Sequence, residues 1–295
     1  MYEECILCPR HCKADRNKKV GFCGANSNLK VAKAMLHMWE EPPISGENGS
    51  GAVFFSNCTL KCCFCQNHKI SSGGFGKEIT EERLGKIFLS LADKGANNIN
   101  LVSATPYIPQ IISVLDKVKH KINIPIVYNT SGYETVETIK SLEGYVDVYL
   151  PDLKYKSPIL SAKYSGAKNY FEYASKAILE MHRQVPKNIY NKDGILQKGM
   201  IIRHMVMPSC TSDTKKVLLW IKENLPLDDV LVSIMSQYTP FHKAREMDGI
   251  NRRLTEEEYN DVMDFAEYMG IENGFMQELS SAKEEYTPEF DLEGV

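Results

Sequence analysis

Between residues 50 and 280 the chain alternates short, wholly apolar runs with stretches in which apolar positions recur every three to four residues. The apolar runs are GAVFFSN (51–57), NINLVSA (98–104), IPIVYNTSG (124–132), VDVYLPDLK (146–154), GMIIRHMVMP (199–208) and VLVSIMSQY (230–238). Near-continuous hydrophobicity, in place of apolar–polar alternation, predicts strands buried on both faces. The stretches between them read as helices. ITEERLGKIFLSLADKG offers Thr80 as N-cap, acids in the first turn, Leu84, Ile87, Phe88 and Leu91 along one face, and Gly95 as a stop. Further helical patterns cover about 107–119 and 135–142. One more places Ala174, Ala177, Ile178 and Met181 on a common face, and another begins near Ser212. The last opens on Thr255 with Glu258 as a capping box and a Leu254–Tyr259 staple, and stops at Gly270. Six such strands, each followed by a helix, predict an α/β fold, either a parallel barrel or an open sheet.

Residues 1–50 do not share this alternation and read as a polar, cysteine-bearing N-terminal extension ahead of a main domain at 51–280. The tail, 281–295, is polar and is expected to lie along the surface. With 295 residues, 43% hydrophobic and 25% charged, the chain can bury a large core. The formal net charge of −3, without a long run of like charge, speaks against a nucleic-acid arm or a polybasic membrane anchor and favours a small-molecule or protein substrate. The opening MYEECILCPRHC has neither a basic n-region before an apolar one nor a run of membrane-spanning length, so a cytoplasmic location is expected. A monomer is the default expectation.

In a reducing compartment, nine cysteines point to metal ligands or reactive thiols rather than disulfides. They cluster: Cys5, Cys8, Cys12 and Cys23 form one group, Cys58, Cys62, Cys63 and Cys65 another, and Cys210 stands alone. Cys58, Cys62 and Cys65 are spaced CxxxCxxC. Three thiolates on one short loop suit an iron–sulfur cluster with one open iron, or a soft metal; a structural zinc site would need Cys63 or His68 as a fourth ligand. CxxCxxxC with a later Cys23 could close a tetrahedral zinc site or a second, fully ligated cluster.

CTLKCCFCQN, with Phe64 before the third cysteine, resembles the radical S-adenosylmethionine (SAM) enzymes, specifically the pyruvate formate-lyase activating enzyme-like branch. The resemblance implies a partial parallel (β/α)6 TIM-like barrel in which Cys58, Cys62 and Cys65 hold a [4Fe–4S] cluster at the C-terminal end of the first strand. SAM chelates its open iron and is cleaved to a 5′-deoxyadenosyl radical. Ser103, Ala104 and Thr105 stand where the family has a glycine-rich SAM-binding segment, and Asn129 stands where activases carry an acidic residue. By the same resemblance Asp152 and Lys154 face SAM and the active-site cavity, Arg203 is the cation near the SAM carboxylate, and His242 lies near its ribose or adenine. Flavodoxin or ferredoxin is the implied electron donor. The N-terminal motif with GFCG, NRRLTEEEY and the C-terminal PEFDLEGV looks like an activase-homologue subgroup rather than the true activase.

Three functions follow. In the first, the protein activates a glycyl-radical enzyme. In the second, it acts on a small molecule or peptide as an epimerase or modifying enzyme, with Cys210 returning a hydrogen atom to the substrate. The third is a non-enzymatic, metal-stabilised binding protein.

Overall fold

The computed structural model describes residues 2–276 and 288–295. Its strands are β1 (Leu29–His37), β2 (Ser50–Phe55), β3 (Lys77–Ile79), β4 (Ile99–Val102), β5 (Ile126–Thr130), β6 (Val148–Pro151), β7 (Ile189–Tyr190), β8 (Leu196–Met205), β9 (Leu231–Met235) and β10 (Gly274–Met276). The helices are α1 (Pro42–Ser45), α2 (His68–Ser71), α3 (Glu81–Asp93), α4 (Ile108–Val118), α5 (Val136–Lys140), α6 (Pro158–Ser165), α7 (Tyr170–Gln184), α8 (Thr211–Asn224) and α9 (Glu256–Tyr268). All six strands predicted from apolar runs are present as β2, β4, β5, β6, β8 and β9.

These six run parallel in the order β9-β8-β6-β5-β4-β2, with β10 added at one edge and the antiparallel pair β1 and β3 at the other. The two edges do not pair, so the sheet curves into a partial barrel. Every residue of β2, β4, β5, β6 and β9 is buried, as strands covered by helices on one face and lumen contents on the other must be. The helix ends follow the sequence. Thr80 Oγ1 accepts the Arg83 N–H at the start of α3, and α9 opens with the Thr255–Glu258 capping box.

Two segments depart from expectation. Residues 29–37, assigned by sequence to the N-terminal extension, form β1 and pair with β2 over most of its length. After β1 the chain turns back into the barrel. Ile44 of α1, fully buried, packs among Val127, Val148, Leu150, Ile201 and Leu231, the inward-facing side chains of the parallel strands. Residues 38–46 therefore plug the lumen from the N-terminal end of the strands. The final described residues, 288–295, lie along the surface as expected but are pinned to it. Phe290 is buried against Phe54 and Ile70, and the main chain bonds β1 through Ala34 N–H to Glu293 O and Leu292 N–H to Ala32 O. Lys33, itself buried, holds this segment through Glu289 O, Asp291 and Glu293. No helix among the described residues is long and apolar enough to cross a membrane.

Candidate active site

A cavity of about 260 Å³ opens at the C-terminal ends of the parallel strands. That is the position where parallel α/β folds collect function, because successive loops converge there while the strands hold them rigid. Cys58, Cys62 and Cys65 line it together with Phe64, Ser103, Asn129, Asp152, Lys154 and Arg203, so most of the residues singled out by sequence face one space.

Burial pushes the Cys58 thiol up to about 12 and the Cys65 thiol up to about 11, in each case reinforced by Cys62. Three thiols in this position ionise readily only against a cationic partner, which is the condition a metal cluster fulfils. Hydroxyls already address two of the sulfurs: Ser165 Oγ lies 3.0 Å from Cys62 Sγ, and Ser71 Oγ 3.2 Å from Cys65 Sγ. Such hydroxyls would orient and tune cluster thiolates. Among the described residues no three His, Cys, Asp or Glu side chains gather in a way that could hold a single metal ion. All nine cysteines are free thiols. Cys63, the extra thiol of the loop, is buried away from the cavity, its N–H donating to Tyr164 O and its carbonyl accepting from Ala244 N–H.

Beside the thiols lies a chain of charged groups. Asp152 accepts from Lys154 Nζ at 2.6 Å and from Arg203 Nε at 2.9 Å, and Arg203 also donates to Asn129 Oδ1 at 2.7 Å and Glu40 Oε2 at 3.3 Å. Asn129 Nδ2 closes the ring onto Glu40 Oε1 at 3.2 Å. Burial pushes the Asp152 carboxyl up, but Arg203 and then Lys154 outweigh it and hold the group below the usual carboxylate range. Arg203 is thus fixed by its partners, with all three guanidinium nitrogens engaged.

The Ser103-Ala104-Thr105 segment divides. Ser103 faces the cavity with a left-handed backbone, φ +59°, a conformation that glycine adopts without cost, and its N–H donates to Asn129 O. Ala104 is fully buried in the core. The Thr105 hydroxyl turns inward and donates to Glu134 Oε1 at 2.7 Å, which also accepts from Thr130 Oγ1. Glu134 is fully buried and its Oε2 has no partner among the described residues, so burial pushes its carboxyl up to about 7. Because the folded value exceeds the usual 4.5, ionising Glu134 opposes folding: its contribution is fully favourable below about 4.5 and is lost as pH rises through about 7. Glu134→Gln is expected to stabilise the protein by roughly 3 kcal/mol near pH 8 and by almost nothing near pH 4. Urea unfolding across this range reads the effect, and a pH-independent difference would show that Glu134 is not the titrating group.

His242 and Cys210 lie outside the cavity wall. His242 stacks on His68, ring centroids 4.8 Å apart, beside the cysteine loop, and Cys210 is buried at the N-terminus of α8. His204, next to Arg203, points into the core, bonded to Leu153 O and Thr214 Oγ1, and burial lowers its pKa to about 4.

The N-terminal cysteines dock onto the cavity's cysteine loop. Arg10 donates to Thr59 O at 3.0 Å and to Gly166 O, and Lys61, inside the CxxxCxxC spacing, donates to Cys23 O at 3.4 Å. A Cβ on Gly21 would lie 3.5 Å from the sulfurs of both Cys12 and Cys23, so these two thiols flank one turn. Arg16, fully buried, reaches Pro106 O at 2.6 Å and locks the unit to the loop after β4.

Sequence reasoning missed the cavity residues Trp39, Glu40 and Glu41 of the plug, as well as His37 at the end of β1, Gln237 and Pro288. WEEPPISG carried a signal, two acids ahead of a proline pair that fixes a helical turn, but no periodicity that would assign it to a barrel lumen.

An open parallel barrel with three cysteines on the loop after its first parallel strand defines a class of iron–sulfur radical enzymes. The chain belongs to the radical SAM superfamily: the family's sequence model matches residues 52–196. Over 281 residues the chain is 33% identical to the uncharacterized protein MJ0674 of Methanocaldococcus jannaschii, covering 92% of this chain and 77% of that protein. Among solved structures, methylornithine synthase PylB is similar with a TM-score of 0.51 at 14% identity, over 74% of this chain and 60% of that one. The FeFe-hydrogenase maturase HydG from Carboxydothermus hydrogenoformans gives 0.50 at 12% identity, over 80% and 56%. Streptococcus suis SuiB bound to its precursor peptide SuiA gives 0.50 at 15%, over 76% and 48%. The chain thus spans about half to three-fifths of these solved chains, and the likeness is one of fold.

Proposed function

We propose that the protein is a SAM-cleaving radical enzyme whose Cys58, Cys62 and Cys65 hold a [4Fe–4S] cluster and whose substrate enters the cavity beside them. The observation that carries this reading is the convergence on one cavity of the three thiols with Asp152, Lys154 and Arg203 from neighbouring strand ends. When bound, the cluster supplies the electron that cleaves SAM to methionine and a 5′-deoxyadenosyl radical, which abstracts a hydrogen atom from the substrate. Arg203, held by Asp152, Asn129 and Glu40, would supply positive charge to the SAM carboxylate, and Lys154 adds positive charge beside Cys62. Ser103 lends backbone contacts where its left-handed turn exposes them. Phe64 and Leu60 exclude water from the cysteine loop.

Of the two enzymatic substrate classes, a small molecule or short peptide segment is favoured over the glycyl loop of a partner enzyme, because the plug closes the cavity floor and Pro288 lies in its wall. The activase-like assignment is kept as the second reading, on the motif CTLKCCFCQN. The buried position of Cys210 gives a hydrogen-donor role there no geometric support. The N-terminal cysteines are proposed to hold a second cluster or zinc, with the residues before β1 as their unit, while β1 and the plug at 38–46 belong with the barrel. A flavodoxin or ferredoxin is the proposed reductant.

Anaerobic reconstitution with iron and sulfide, reduction with dithionite and addition of SAM is expected to yield 5′-deoxyadenosine. Roughly eight irons per chain would assign a second cluster to the N-terminal thiols, and roughly four with zinc would assign that metal instead. Absence of the nucleoside from protein with a full iron complement would overturn the proposal.

A further inference from the structure

The cavity floor carries a carboxyl that forms no ion pair among the described residues. Residues 38–46 are fastened from below: Ile44 is packed in the lumen, its carbonyl accepts from Asn98 Nδ2 at 2.7 Å, and Ser45 Oγ accepts the Glu40 N–H at 2.9 Å. This anchoring places Glu40 and Glu41 in the cavity, outside the segment the family model matches. The charges there can be matched one by one. Lys154 pairs with Asp152, and Arg203 pairs with Asp152 and Glu40, so two cations meet two carboxylates. Glu41 is the third carboxylate. Only 6% exposed, it accepts a hydrogen bond from Ser233 Oγ at 3.0 Å, but forms no ion pair among the described residues. Burial raises its pKa, and Arg203 offsets that only in part.

A buried carboxyl of this kind is costly unless a cation arrives to complete it, and the cavity is the route by which one can. We infer that Glu41 recognises a protonated amine on the substrate, so that the substrate class is a small molecule bearing a primary ammonium group. This rests on the reading that the cavity holds the substrate. Glu40 cannot serve the same purpose, since both its oxygens are engaged by Arg203 and Asn129. Amine binding draws the proton off Glu41, so it weakens as pH falls through the range where the carboxyl stays protonated. The groups facing Glu41 that bear on this are Arg203, Glu40 and Asp152, with the Ser233 hydroxyl from β9.

SAM itself carries an ammonium group, so the test separates the two sources. Binding of 1-aminopentane, pentan-1-ol and pentanoate to the reconstituted protein is measured by calorimetry with and without SAM, and SAM binding is measured alone. The amine is expected to bind about tenfold or more tightly than the alcohol, a preference of the size one charged hydrogen bond gives, and pentanoate least of all. Glu41→Gln is expected to erase the preference, and Glu41→Asp, which keeps the charge, to retain part of it. Equal binding of amine and alcohol, or a preference that survives Glu41→Gln, overturns the inference. So does a loss of SAM affinity in Glu41→Gln as large as the loss of amine affinity, which would give Glu41 to SAM. The 5′-deoxyadenosine measured on the same preparations reports on the radical chemistry separately. Amine preference without nucleoside would sink that chemistry alone, and nucleoside without amine preference would sink the inference alone.

Discussion

Replacing Cys58, Cys62 or Cys65 by alanine is expected to lower 5′-deoxyadenosine formation by more than about a hundredfold, beyond the loss typical of residues that only orient a ligand. Each thiol sits on a loop whose backbone is fixed elsewhere: Asn57, just before Cys58, holds φ +72° and donates through Nδ2 to Tyr107 Oη, and Cys65 N–H bonds Cys62 O. A missing sulfur cannot be replaced by small movements. Cys63→Ala is the internal control. That thiol packs in the core away from the cavity, so its loss should cost stability of about 1 kcal/mol and leave iron content and nucleoside formation near the parent's. Iron counted per chain separates a lost cluster from a lost reaction. Full iron in Cys62→Ala, or a Cys63→Ala variant as inactive as the others, would mean that the ligand set has been assigned to the wrong sulfurs.

The barrel was legible because burial on both faces leaves an unmistakable trace: six apolar runs with no polar alternation, each followed by a helix, several of them opened by a Ser or Thr cap. The triad was legible because its spacing is local. What escaped is what depends on contacts distant in sequence. LKVAKAMLH mixes lysines with apolar residues and looks half-exposed, yet Lys33 is buried because Asp291 and Glu293 return to it from the far end of the chain. Ile44 sits in a two-proline turn with no periodicity, and only the curvature of the sheet creates the lumen it fills. Thr105 shows the converse. Its position was anticipated from a motif, but the side chain answers to Glu134, a buried carboxyl that no short pattern announces. His242 was placed by a loop position alone, and loop positions do not fix where a ring points.

Asp152→Asn is expected to be the most damaging change outside the cysteines, and its effect comes from charge rather than shape. The asparagine keeps the volume and can still accept one hydrogen bond, but it leaves Lys154 and Arg203 side by side with Glu40 as their one remaining ion-pair partner and Glu41 acting on Arg203 only from a distance. Breaking a buried ion pair by neutralising one partner costs about 3–5 kcal/mol, and the lower figure applies here because the Asp152 side chain, 15% exposed, faces the cavity. Urea unfolding near neutral pH is expected to show a loss of roughly 3 kcal/mol. The sign of the pH dependence is fixed by the depressed pKa of Asp152. A carboxyl held below its unfolded value contributes its full stability above that value and loses it as pH falls. The gap between parent and variant should therefore narrow on acidification, as the Glu134→Gln gap also does, but with the opposite sign: Asp152→Asn destabilises where Glu134→Gln stabilises. If Asp152→Asn unfolds like the parent at neutral pH, Glu40 alone must neutralise Arg203, and Lys154 must be free to turn toward the thiols. In that case the cavity would hold one more mobile cation than the observed pairing allows, and the charge matching that singles out Glu41 would have to be redrawn.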